Sequence, residues 1–403
     1  MNQLEGGDRT AVSPWNWSGL EGGRVRARPP RVADCTLRDG EQQPGIVFTV
    51  DQKVEIARAV AALGVHDLEL GTPAVSPDDA EAIRRVVDAG LGVYTSALGR
   101  ATEADVDLVR SCGVDAVRLS LPISERQRAA KMRLPAGEYV ERALRIAGYA
   151  KERGLDVIFS PYDTTRCDRT LLEALLDAFR REGCVDRVRL VDTTGAASPQ
   201  AVAALVGLMD DAGGGIPIEV HCHNDFGLGT ANTVAGALAG AAYLSTTING
   251  IGERSGNASL EEVVTAMAVL YGIDVGIDLA RLTAVSAIVE TASGVRLQPH
   301  KAVVGRNAFA HESGLVVAGL LRDPFTAEAY APELVGQRRR IVVGKTSGRA
   351  SLEAKVRELV GGDPPDDLDL DALLTGVKAA AIDAGRSLED DELRALMTTR
   401  SKG

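Results

Sequence analysis

The 403-residue chain has no apolar run approaching the ~20 residues a membrane-spanning helix requires. Its first residues, MNQLEGGDRT, lack the basic-then-apolar pattern of a secretory leader. Cysteine is scarce: Cys35, Cys112, Cys167, Cys184 and Cys222 are odd in number, dispersed, and form no C-x-x-C pair. That argues against a disulfide framework and for a reducing compartment. Positive charge is in deficit, with 45 Lys and Arg against 56 Asp and Glu and a net charge of −11. The excess of acid disfavours nucleic acid and anionic membrane as main partners, while leaving room for a local basic pocket. A cytoplasmic, soluble protein is expected. Histidine is also scarce, five in all, yet two of the five stand together in HCHND at 221–225.

What is present is a regular alternation. Residues 1–30 are rich in Gly, Arg and Pro and read as a mobile or loosely docked arm. From Arg31, short apolar runs alternate with amphipathic stretches: RVADCTL then 51–63, VHDLEL then 77–89, LGVYTSAL then 102–111, VDAVRLSL then 136–153. LDVIFS then precedes 169–182, VDRVRLVD 198–213, IPIEVHC 228–241 and YLSTTING 259–271. Strands that alternate with helices make a parallel sheet. Eight such units favour a closed (β/α)₈ TIM barrel over 31–275, with an open doubly wound sheet as the alternative. Beyond it, 276–350 reads as a linker or lid carrying His311, and 351–403 as a small, mainly helical C-terminal subdomain.

Chemistry in such barrels sits at the C-terminal ends of the strands, and polar residues gather there. Thr36, Arg38, Asp39, Glu41 and Gln42 follow the first strand, Glu69 ends the second and Arg100 the third. Arg118 and Ser120 share one face of the fourth by strand alternation. Tyr162, Asp163 and Arg166 follow the fifth, and Asp192, Thr193 and Thr194 the sixth. The seventh brings Glu219, His221, His223, Asn224 and Asp225, and GIGERSGN after the eighth ends at Asn257. His221 and His223, two apart, point to one face with Glu219 before them. Two imidazoles and a carboxylate from another strand form a common divalent-metal set, with Asp39 the best-placed third ligand. The competing reading is that the histidines only finish a strand. Convergence of Asp39, Glu219 and Asn257 on the same mouth favours the metal. Arg38 suits a developing oxyanion.

DCTLRDGEQQPG, HCHNDFGLGTAN, NGIGERSGN, NAFAHESG and GKTSGR resemble, in order, the signature segments of the homocitrate/isopropylmalate synthase family. These are barrel enzymes of the DRE-TIM metallolyase group. The texture, including LSLPISERQ and DTTG, is most similar to the short homocitrate synthases of the nitrogenase-cofactor type. The resemblance implies an acyltransferase: acetyl-CoA, the cosubstrate, loses a methyl proton, its enolate adds to the ketone of a 2-oxo acid, and thioester hydrolysis leaves a 2-substituted malate. It implies a divalent ion (Mg²⁺, Mn²⁺, Co²⁺ or Zn²⁺) on Asp39, His221 and His223 with Asn257 beside it, and Arg38 at the oxyanion. His311 with Glu312 would supply the base, and Gln42, Glu69, Arg100, Ser160 and Thr193 would line the substrate. A homodimer is implied.

The sequence departs from the family pattern on the substrate side. Ile158 stands where lysine-pathway homocitrate synthases carry an arginine for the distal carboxylate of 2-oxoglutarate, and Tyr162 where they carry a glutamate. Val316 replaces a histidine, Thr346 another, and Ala327 a tyrosine. A buried arginine needs an anionic partner, so Arg118, with Ser120, is expected to bind a distal anionic group of the oxo acid. That group could be a carboxylate, or a phosphonate or phosphinate as in phosphonomethyl- and phosphinomethylmalate synthases. Isopropylmalate or citramalate synthesis ranks lower. A lyase on the same scaffold, or a non-catalytic scaffold, is the remaining alternative.

Overall fold

The structure, a computed structural model, describes residues 9–13, 15–16 and 29–400. Eight parallel strands close into one barrel in sequence order: β1 Arg31–Asp34, β2 Asp67–Glu69, β3 Tyr94–Arg100, β4 Ala116–Pro122, β5 Asp156–Tyr162, β6 Arg187–Asp192, β7 Ile218–Cys222 and β8 Tyr243–Thr246. β1 pairs with β8 through Arg31–Tyr243 to Asp34–Thr246 and completes the ring. Helices cover its outside: α1 Val50–Ala61, α2 Pro77–Asp88, α3 Glu103–Ser111, α4 Glu125–Lys131, α5 Ala136–Glu152, α6 Arg169–Glu182, α7 Pro199–Gly213, α8 Gly229–Leu238, α9 Leu260–Tyr271 and α10 Leu282–Ser293.

The sequence explains the starts of these helices. Thr49 and Gln52 form a reciprocal capping box at α1. Ser76 before Pro77 and Ser198 before Pro199 accept from the third helical amide while proline occupies the first turn, where its missing N–H costs nothing. The short α4, between β4 and α5, is not foreshadowed by any apolar periodicity in ERQRAAK.

The barrel interior is unusual for the fold. Branched aliphatics commonly fill it, but here Asp67 and Glu69 of β2, Arg118 of β4, Arg187 and Arg189 of β6 and Glu219 of β7 occupy it, all buried. Three guanidinium groups face three carboxylates. Arg118 donates to Glu219 (2.8 Å), Asp67 (2.6 Å) and Ser96 (2.8 Å). Arg187 bridges Asp67 and Glu219, and Arg189 bridges Glu69 and Glu219. Such a set holds together because it is balanced; removing one member would strand a buried charge.

The chain divides into two compact units, Pro14–Leu297 and Met1–Ser13 with Gln298–Gly403. The boundary lies later than the sequence suggests, because α10 packs on α1 and belongs to the barrel unit. The expected arm falls mostly outside the described residues, but its part at 9–11 is docked by backbone bonds from Ala11 to Ala329 and from Ala331 to Arg9. The second unit holds α11 Gly314–Leu320, α12 Arg349–Val360, α13 Leu370–Ala384 and α14 Asp390–Arg400. Its core includes Val343, Leu352, Val356, Leu373, Val377 and Leu393. Ala310–His311 pairs in parallel with Arg340–Ile341. Among the described residues, no helix is long and apolar enough to cross a membrane.

Candidate active site

Asp39 lies in the turn after β1, where its amide donates to the Cys35 carbonyl. His221 lies near the end of β7, and His223 follows as the strand ends and bridges to Asn257. Asp39 Oδ2 stands 3.2 Å from His221 Nε2 and 3.7 Å from His223 Nε2. One ligand atom from each of the three residues fits within 4.8 Å of the others, and all three residues are buried. The imidazoles meet edge-on with centroids 5.1 Å apart. Ser245 Oγ, 3.0 Å from His221 Nδ1, fixes that ring and leaves Nε2 facing the carboxylate.

Several features show that these residues fit a divalent ion. Asn257 donates from Nδ2 to the Ile251 carbonyl, while its buried Oδ1 has no hydrogen-bond partner. An orphaned buried acceptor calls for a hydrogen-bond donor or a cation, and an ion with its bound water supplies both. Gly252 gives the space: a Cβ there would lie 2.0 Å from Asn257 Nδ2 and 3.1 Å from Asp39 Oδ1, at a φ of +155°. Charge states agree. Burial lowers the His221 pKa, and burial with the neighbouring His221 brings His223 down to about 4. Burial would raise Asp39, but Arg38 and the two histidines outweigh it and hold the carboxyl well below its usual range. At neutral pH the set is two neutral imidazoles and one carboxylate, the form in which they ligate.

These groups open into a cavity of ≈ 480 Å³ that also takes in Arg38, Gln42, Arg100, Ser120, Ser160 and Thr193. Arg38 donates to Glu69 Oε1 (2.5 Å) and Asp39 Oδ2 (2.8 Å), so it is fixed beside the metal ligands. Thr193 Oγ1 accepts from the Asp163 amide at 2.7 Å. Arg100 is largely exposed and committed to Asp105 through two 2.8 Å bonds. Ser160 Oγ is buried without a partner.

Three expectations are corrected. Arg118 does not line the cavity; it lies in the barrel interior, bonded to Glu219, Asp67 and Ser96. Its anionic partners, Asp67 and Glu219, are internal and balance its charge without a substrate. Glu219 shares the histidines' face of β7 but not their surroundings, because Arg118, Arg187 and Arg189 claim it. Glu69 is saturated by Arg38 and Arg189 and supports the cavity without lining it.

In the second unit, His311 Nε2 is 3.2 Å from Glu328 Oε1, and Arg339 clamps the same carboxylate. The imidazole's partner is therefore Glu328, not the adjacent Glu312. Glu312 accepts from the Thr346 amide and hydroxyl and from Ser387 Oγ, which hold its pKa low against the effect of burial. Glu328 lies 17 residues beyond His311 in a loop, where no spacing rule links the two. Among the cavity residues that sequence reasoning missed are Arg189, Lys131, Met132 and Arg142. For Arg189 there was a signal, since Arg187 and Arg189 alternate on β6 and must share a face.

Comparison with known proteins agrees with this geometry. The profile of the family described as HMGL-like matches residues 30–289, and that of the homocitrate synthase post-HMGL domain-like family matches 303–385. A probable 2-isopropylmalate synthase of Ignicoccus hospitalis is 42% identical over 91% of both chains. The homocitrate synthase AksA of Methanopyrus kandleri is 43% identical over 86% of this chain and 87% of its own. The (R)-citramalate synthase CimA of Methanocaldococcus jannaschii is 42% identical over 91% of this chain and 74% of its own. A crystal structure of the Bacillus subtilis HMG-CoA lyase superposes with a TM-score of 0.60, covering 70% of this chain and 97% of its own at 19% identity, a likeness of fold.

Proposed function

Because the chain belongs to the HMGL-like family, among its homocitrate, citramalate and isopropylmalate synthases, we propose that it condenses acetyl-CoA with a 2-oxo acid that carries a second, distal anion, as a homocitrate synthase does. The coarser statement follows from the family itself: the chain is an alkylmalate synthase, an acyltransferase that turns the acetyl group into an alkyl substituent and releases CoA. Overall identity does not choose the oxo acid, since the three kinds of synthase match within 42–43%.

The observation that carries the reading is the buried Asp39–His221–His223 set opening into the same cavity as Arg38. A divalent ion held there, with Asn257 Oδ1 at hand, would supply Lewis acidity toward the 2-oxo group. Arg38, held by Glu69 and Asp39, is placed to donate to the oxyanion that develops as the ketone carbon is attacked. Gln42, after β1, and Thr193, after β6, orient the oxo acid from two sides of the mouth. His311 is the base for the acetyl methyl. With its Nε2–H donated to Glu328, Nδ1 keeps the lone pair that receives the proton. The carbon–carbon bond forms between the enolate methylene and the ketone carbon. Water then splits the thioester, and CoA leaves as the thiol.

The test is thiol release with acetyl-CoA and a panel of 2-oxo acids, before and after chelation of divalent metal. Release with at least one oxo acid, lost on chelation and restored by added metal, is expected. No release with any oxo acid in metal-replete protein would refute the reading.

A further inference from the structure

The correction at Arg118 leaves a question about the distal end of the substrate, and the cavity itself answers it. In the closed strand order, β4 and β5 stand across the ring from β8 and β1. The cavity therefore runs from the metal ligands on β1 and β7 to an opposite rim formed by β4, β5, α4 and α5. Leu98, Pro122, Met132 and Val191 give its lining an apolar share.

Two cations stand at that rim without a carboxylate. The other basic residues of the cavity are compensated: Arg38 by Asp39 and Glu69, Arg100 by Asp105, and Arg189 by Glu69 and Glu219. Arg142 falls on the inward stripe of α5 with Tyr139, Ala143 and Ile146, where an apolar side chain would be the ordinary choice. Its Nε is buried and has no hydrogen-bond partner. Lys131, the last residue of α4, rests its ammonium 4.9 Å from the Tyr162 ring centroid. Neither residue has an ion-pair partner among the described residues. Ser160 Oγ, also on this rim, lacks a partner too.

The segment that presents Lys131 is built to stay in place. Buried Arg128 donates to the Ile123 and Leu134 carbonyls at 3.0 and 2.9 Å, fastening both ends of α4. Ser124 caps the helix and bonds to Asp163 beyond β5. Arg133 takes a φ of 50° to make the turn into α5, strain that persists only where the surroundings hold it. A half-buried guanidinium whose buried Nε is unpartnered, an orphaned buried hydroxyl and an exposed ammonium at the same rim, on a chain with a net charge of −11, describe a site for an oxyanion open to solvent on the lysine side.

We propose that Arg142 and Lys131, with Ser160, bind the distal oxyanion of the 2-oxo acid, a carboxylate or a phosphonate at the end of a short apolar chain. This deepens the condensation reading and rests on it. Arg142 and Lys131 do here what Arg118 cannot, and the distal group is read from α4 and α5 instead of from the barrel strands.

The test uses the full chain loaded with metal and compares Arg142→Met, Lys131→Met, the double variant and the conservative Arg142→Lys. Thiol release is followed with 2-oxoglutarate, phosphonopyruvate and 2-oxoisovalerate. Wild-type protein should favour one of the two anion-tipped acids over 2-oxoisovalerate, and which one separates carboxylate from phosphonate. The double variant should lower that selectivity ratio in kcat/KM by about 100-fold, with part of it recovered in Arg142→Lys. Calorimetric binding of 2-oxoglutarate and phosphonopyruvate, a readout independent of turnover, should weaken in parallel. An unchanged ratio in a double variant that melts like wild type, or a wild-type preference for 2-oxoisovalerate, would overturn the proposal. If no oxo acid released thiol, the condensation reading would fail by itself, and calorimetry would still decide the subsite.

Discussion

Two neighbouring parts of the barrel use the same residue types to opposite ends. In the interior, Arg118, Arg187 and Arg189 meet Asp67, Glu69 and Glu219, three charges of each sign, and the carboxylates are saturated. At the mouth, Asn257 Oδ1, His223 Nδ1, Ser160 Oγ and Arg142 Nε are buried without partners, and Asp39 faces two neutral imidazoles. The closed set is structure, and the open set is a binding site. A charged residue in a barrel strand is therefore informative about function only once its partners are counted, and an unpaired buried polar atom tells more than the charge itself.

Breaking the closed set should unfold the protein and leave its specificity alone. Arg118→Met strands the Glu219 and Asp67 carboxylates, so urea denaturation should show a loss of about 3–5 kcal/mol. A selective rise in KM for anion-tipped oxo acids in that variant, without loss of stability, would return Arg118 to the substrate. A smaller effect is expected at the support of the open set. Ser245→Ala removes the partner of His221 Nδ1 and should weaken divalent-metal affinity by about 10- to 100-fold. Unaltered affinity would mean that packing alone orients the ring.

The barrel was legible because its signal is repetitive. Strand alternation and helical period recur eight times, and α6 spans Arg169–Glu182 as the amphipathic pattern at 169–182 expects. The metal corner was legible because it is compact in sequence: an H-x-H pair on one strand and an aspartate just after another. The distal rim was not. Lys131 sits on a seven-residue helix without an apolar stripe, and Arg142 looks in sequence like one more charge on an amphipathic helix. Only the packing shows that its face is turned inward and its Nε left unpaired. Arg118 misled for the converse reason. Its side chain does point inward, but Asp67, Glu69 and Glu219 lie on other strands, and one sequence does not say which inward charges pair.

The difference between the closed and open sets is tested most directly by titrating Mn²⁺ calorimetrically into chelator-treated protein, wild type and His221→Ala. The wild type should bind one ion per chain, and His221→Ala should lose that site while keeping its fold, since His221 lies outside the interior ion-pair set. Binding that survives in His221→Ala with unchanged affinity, or its absence from the wild type, would contradict the assignment of Asp39, His221 and His223 as the metal centre.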